Sequence, residues 1–375
     1  MQRMKLVKGT PHKLNLKYYK NSAKPFRDKY PLSGNGRIYK YNFSDEAIEF
    51  SQIDISVSPK SFKGLHEKSP MPLANFANTS LFEHNKEIYA IFESKPPVNI
   101  STLYETTFDN KLCNFLNVHY EKDENNDTIL FSSVGKNLII FRIPESSNIA
   151  KTEVSIKLSQ SFYIHSFVRD GDYLIFSMFP SDFDIKSMIV GMKSVIDSLV
   201  FKNNEHLQLL IYNLRTKTHN IVDIPDITSP VFHIVGTLNQ LHLFATPRNF
   251  AMNNITSKYD YNSKHYILDI DTDGTVNFLL HTEFCGEMPY FYKNTLAFVE
   301  NQTLHCNCMS KYFQGYIEEP AIIESSDKDL QILQIEHFQN KTFLHIIDVN
   351  TMNTESLYQL NKQTIHGFHG LISNN

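Results

Sequence analysis

Four of the sixteen histidines in this 375-residue chain, His119, His165, His233 and His369, sit in or beside apolar, aromatic-rich segments. Those segments read NFLNVHYEKDENNDTILF, FYIHSFVRDGDYLIFSMF, PVFHIVGTLNQLHLFATP and IHGFHGLI. Neutral imidazoles are ligands for divalent iron, zinc, copper or nickel, and four of them leave the ion's charge uncompensated, so ligand type alone does not choose the metal. The gaps of 46, 68 and 136 residues are too wide for a local motif of the HExxH or CxxC kind. Such side chains can meet only if the fold gathers strands from the whole chain around one point. A β-propeller does this, because the innermost strand of every blade faces a common axis.

A ligating imidazole also needs its second ring nitrogen held, commonly by a carboxylate. Glu93 in YAIFESKPP, Glu287 in CGEMPYF and Glu319 in YIEEPAII stand near strand ends where they could do so. His305-Cys306-Asn307-Cys308 is a weaker soft-metal candidate, since a CxC without a second pair is not a site.

The elements that must carry these residues read as strands. Short apolar or alternating runs recur between turn residues from residue 37 almost to the end, for example 87–93, 172–179, 240–247, 294–300 and 341–349. Two runs contain their own turns: Gly135-Lys136-Asn137 inside 128–143, and Asp271-Thr272-Asp273-Gly274 inside 265–280. No linker or composition shift divides the chain, so we read residues 1–375 as a single domain with 1–33 as an N-terminal extension. The expected fold is an all-β, seven-bladed β-propeller with short helical insertions on the face above the histidines. Seven blades take roughly 50 residues each, and the histidine gaps agree with that period. Within 183–202, Ile185, Ile189, Met192, Ile196 and Leu199 recur at helical spacing, which predicts an amphipathic rim helix flanked by lysines. Such a helix could also make a peripheral membrane contact.

Composition narrows the function classes. A net charge of −4 with no basic tract argues against nucleic acid as a partner. Four cysteines are too few for a disulfide scaffold, and no apolar run of about 18 residues spans a membrane. The opening MQRMKLVKGT lacks the apolar core of a signal peptide, so a cytoplasmic location is expected. The 28 Phe and 19 Tyr fit packed blades, and they are compatible with a tunnel for a long apolar ligand.

Eight segments, in order, resemble the carotenoid cleavage oxygenases, the family that includes apocarotenoid oxygenases, lignostilbene dioxygenases and the retinoid isomerase. They are GNGRIYKYNFSDEAIEFSQ (34–52), FANTSLFEHNKEIYAIFESKPPVNISTLYETT (76–107), VHYEKDENNDTILF (118–131), IHSFVRDGDYLIF (164–176), VFHIVGTLNQLHLF (231–244), GEMP, EEP and GFHGLI (367–372). The resemblance implies that His119, His165, His233 and His369 bind Fe(II), with Glu93, Glu287 and Glu319 hydrogen-bonded to three of the imidazoles. It also implies cleavage of a conjugated carbon–carbon double bond of a carotenoid or apocarotenoid by O2, giving carbonyl products. A stilbene substrate on the same iron centre is the alternative. So is a diverged, non-catalytic propeller that binds a lipid or a protein. The sequence departs from the family pattern at His119-Tyr120-Glu121, where His-Pro-Lys is usual, and at Ile234-Val235-Gly236-Thr237 after the third histidine. His366, three residues before His369, is a competing fourth ligand, but Gly-Phe-His-Gly favours His369.

Overall fold

The structure, a computed structural model, describes residues 2–11, 14–23, 36–44, 47–55, 79–92, 95–110, 113, 116–183, 199–246, 263–325, 327–365 and 367–374. Among these residues every regular element is a β-strand. The strands form seven antiparallel sheets of three to six strands, the seven blades of a propeller.

The hairpins follow from local chemistry. Thr128–Val134 pairs with Asn137–Ile143, and Val134 faces Asn137 across a turn in which Gly135 takes a φ of +60°. That left-handed conformation suits glycine. Lys264–Ile270 and Val276–Cys285 are joined across Asp271–Gly274, where the Gly274 N–H donates to the Asp271 carbonyl at 2.9 Å.

One end strand of each sheet lies against the corresponding strand of a neighbouring sheet. These inner strands are Ser80–His84, Tyr120–Lys122, Phe167–Asp170, Val231–Thr237, Glu287–Tyr292, Ala321–Glu324 and Gly367–Asn374. Alternate residues along each strand fill the wedges between blades, as a period of two requires. In one wedge Phe131 meets Phe167 and Phe176 edge-on, with ring centroids 5.2 and 5.3 Å away, and those two rings stack at 5.0 Å. Each such buried ring contributes about 1.5–3 kcal/mol, which holds one blade to the next.

The two ends of the chain close the ring together. The last strand, Gly367–Asn374, pairs with Leu16–Ala23, which in turn pairs with Gly36–Ser44. Lys5–Gly9 completes the neighbouring blade beside Thr354–Leu360, and Gln2–Arg3 pairs with Ala47–Asp54. The segment 1–33, expected to be an extension, therefore supplies three strands to two blades. The predicted rim helix over 183–202 needs correction at its C-terminal end. Leu199–Phe201 is a strand paired with Ser181–Phe183, and backbone pairing to that neighbour wins there over the helical apolar spacing. Residues 184–198 lie outside the described residues. No helix of the described residues is long and apolar enough to cross a membrane.

Candidate metal centre

Three of the four histidine segments are stitched together by side chains within two residues of an imidazole. His119 directly precedes the inner strand Tyr120–Lys122, and the side-chain amide of Asn117 donates to the Ile164 carbonyl, one residue before His165. Ser166, on the other side of His165, reaches the third segment. Its hydroxyl donates to the Phe232 carbonyl at 2.7 Å and accepts from the Ile234 N–H at 3.1 Å, so it holds the backbone on both sides of His233. The fourth segment is held by consecutive glutamates. Glu318 Oε1 accepts the Gly367 N–H and Glu319 Oε2 accepts the Gly370 N–H, each at 2.9 Å.

The result is a cluster of four imidazoles carried in or beside four of the inner strands. One ring nitrogen from each of His119, His165, His233 and His369 lies within 4.8 Å of the others. His119 sits edge-on to the other three rings, with centroids 4.9 Å from His165, 6.0 Å from His233 and 4.8 Å from His369. Two imidazole nitrogens on one first-row ion are at most about 4 Å apart, twice a metal–nitrogen bond, so these four would close in around an ion to bind it.

The His119 Nε2 supplies an independent sign that the set suits a cation. It is buried and has no hydrogen-bond partner. An unpaired buried imidazole nitrogen is costly, and a metal ion would satisfy it. Burial, and then the neighbouring His369, His165 and His233, hold His119 well below the usual imidazole range, which keeps its lone pair available. Among the described residues this is the one group of three or more potential ligands with such spacing.

Two partners orient the rings from outside. Glu319 Oε1 lies 3.0 Å from His369 Nδ1, so the carboxylate takes that N–H and leaves Nε2 as the donor toward the centre. Burial alone would raise the Glu319 carboxyl, but Lys20 and His369 together outweigh it and hold the group at about 2. The Tyr163 hydroxyl lies 3.1 Å from His165 Nδ1. Tyr163, Phe201 and Phe232 form an aromatic group beside His165, with centroids 5.5–6.3 Å apart.

Of the three glutamates expected around the histidines, Glu319 stands beside His369. Glu93 lies outside the described residues, and so does the side chain of Glu287, whose backbone opens the strand Glu287–Tyr292. His366 is also outside them. Among the described residues the His305–Cys308 candidate forms no ligand group: Cys306 is buried at the end of one strand of a hairpin, and Cys308 is exposed in its turn. Sequence reading overlooked Asn117, Tyr163, Ser166 and Lys20. A signal for Lys20 exists, since Leu16, Tyr18 and Lys20 share one face of a strand and place the lysine among buried residues.

The chain resembles known proteins at two levels. The sequence profile of the retinal pigment epithelial membrane protein (RPE65) family matches residues 11–263. Among solved structures, a glutamate-to-glutamine variant of Synechocystis apocarotenoid oxygenase superposes with a TM-score of 0.80 at 14% identity, covering 99% of this chain and 95% of the other. A chimera of apocarotenoid oxygenase with RPE65 gives 0.80 at 14% identity, over 99% and 94%. Cobalt-substituted Synechocystis apocarotenoid oxygenase gives 0.78 at 14% identity, over 99% and 95%. No curated protein sequence matches. The likeness to these structures confirms the propeller, and the profile match over most of the chain shows the family: this protein belongs to the RPE65 and carotenoid oxygenase family.

Proposed function

We propose that the protein is a non-haem Fe(II)-dependent dioxygenase that cleaves a conjugated double bond of a carotenoid or apocarotenoid into two carbonyl products. The observation that carries this reading is the convergence of four imidazoles within 4.8 Å, with one buried nitrogen that no protein group satisfies. His119, His165, His233 and His369 would hold the ion. The solved relative with cobalt in place of its metal supports a divalent first-row ion in such a propeller. When bound, iron would supply the activation of O2 that no side chain can provide.

The protein's own groups prepare the site. Glu319 fixes the tautomer and direction of His369, and Tyr163 meets the outer nitrogen of His165. Tyr163, Phe201 and Phe232 offer apolar surface beside the imidazoles. Such surface suits a polyene, which has few hydrogen bonds to offer and must be oriented by shape while water is kept out.

The test is anaerobic reconstitution with Fe(II), metal analysis, and product identification with β-apocarotenals beside resveratrol-like stilbenes. About one iron per chain, O2 uptake and two aldehyde fragments from the apocarotenal are expected. Stilbene cleavage alone would move the substrate class, and a single rearranged product without O2 uptake would replace cleavage by isomerisation. A chain that takes up no iron is not this enzyme.

A further inference from the structure

The buried ammonium of Lys20 points to a role at the metal centre that its position in the sequence does not announce. Lys20 is fully buried, on the strand that pairs directly with the one carrying His369, where it stands opposite Gly370. Its Nζ donates to the Glu319 backbone carbonyl at 3.0 Å and to Glu319 Oε2 at 3.2 Å. The same carboxylate receives the His369 Nδ1–H at 3.0 Å and the Gly370 N–H at 2.9 Å. Three donors from three directions therefore fix one carboxylate.

We propose that Lys20 is a positioning residue of the metal centre, acting on His369 only through Glu319; the inference rests on the metal-centre reading above. Without the ammonium, Oε2 keeps a single N–H, and the carboxylate can turn about its terminal bond and carry the His369 ring with it. A buried lysine is a costly way to fill space, because its charge must be taken out of water and met in full. Its value lies in where it holds its partner. Outer-sphere partners of this kind set metal affinity by about 10–100-fold.

The experiment is a cobalt(II) binding titration, followed by the visible absorption of the bound ion, on the full chain and four variants: Lys20→Met, Lys20→Arg, Glu319→Gln and Lys20→Met/Glu319→Gln. Circular dichroism reports whether each is folded. Lys20→Met is expected to weaken cobalt binding about 10–100-fold, and Lys20→Arg to recover most of the loss. On the Glu319→Gln background, Lys20→Met should add nothing, since its action passes through the carboxylate. Should Lys20→Met alone fail to fold, the double variant against Glu319→Gln decides by the same criterion. Binding by Lys20→Met within twofold of the native chain overturns the role of Lys20 and leaves the metal centre standing. Equal losses on both backgrounds overturn it too. If the native chain takes no cobalt, the metal-centre reading falls with it.

Discussion

Tyr18 occupies the space that a side chain at position 370 would need: a β-carbon on Gly370 would lie 2.8 Å from Tyr18 Cε2 and 3.1 Å from its hydroxyl. The tyrosine cannot easily yield, because it is fully buried and stacked on Tyr41 at 5.9 Å. Glycine beside His369 thus lets the last strand approach the first blade closely enough for Glu319 to reach both residues. Gly370→Ala should cost about 1–3 kcal/mol of stability through overpacking and weaken metal binding by displacing His369. Urea unfolding and a cobalt titration check both effects, and unchanged values would show that the strand has room to move.

Ser166 links the segments of His165 and His233 by one hydroxyl, which donates to Phe232 and accepts from Ile234. Ser166→Ala leaves a buried carbonyl and a buried N–H without that partner, at a cost of about 1–3 kcal/mol. The two groups bracket His233, so the variant should also bind metal less tightly. Ser166→Thr keeps the hydroxyl, and its recovery of affinity separates the hydrogen bonds from mere packing. A Ser166→Ala protein with native stability and affinity contradicts this account.

The parts of the fold legible in the sequence are those encoded locally. The hairpin within 128–143 shows its two strands, its apolar alternation and its glycine turn within sixteen residues, and it forms as expected. The convergence of the histidines was readable for a different reason: dispersed imidazoles in strand-like segments have few architectures that unite them. Closure of the ring was not readable. Leu16 faces Asn374 and Lys5 faces Gln359, and no local pattern announces a partner more than 300 residues away. A separation of 299 residues likewise hid the partner of Lys20, whose acceptor is Glu319. At 199–201 the apolar spacing suggested a helix, but pairing with Ser181–Phe183 decided the conformation.

Acid should destabilise the metal-free protein through a histidine pair that lies outside the four-histidine cluster. His242 Nδ1 and His265 Nε2 are 3.0 Å apart in a buried stack, and burial pushes the two down to about 4 and about 3. In the unfolded chain both titrate near 6.5. Below that pH the unfolded state binds more protons than the folded one, so stability present above about pH 6.5 is lost as pH falls toward 4. Two protons correspond to a slope of about 2–3 kcal/mol per pH unit near pH 5. Urea midpoints measured in chelator across pH 7 to 4 give the slope. His119, also held down by burial, adds its own share in the metal-free protein, so His242→Gln/His265→Gln should reduce the slope by the share of these two groups alone, and an unchanged slope in the double variant assigns the effect to other groups.

His119 separates the needs of the fold from those of the metal. Its Nε2 is buried with no partner, and three other imidazoles surround it, so in the metal-free protein this ring adds a desolvated polar atom and little cohesion. His119→Leu replaces that atom with apolar volume of similar size. The variant should bind no metal, yet in chelator its urea midpoint should equal or exceed that of the native chain. Added metal should then reverse the order, because an ion at about 100 times its dissociation constant stabilises only the native protein, by about 2.7 kcal/mol. A His119→Leu protein that unfolds more readily even in chelator would mean that the ring is retained for packing, and the case for a built metal centre would lose the observation it most depends on.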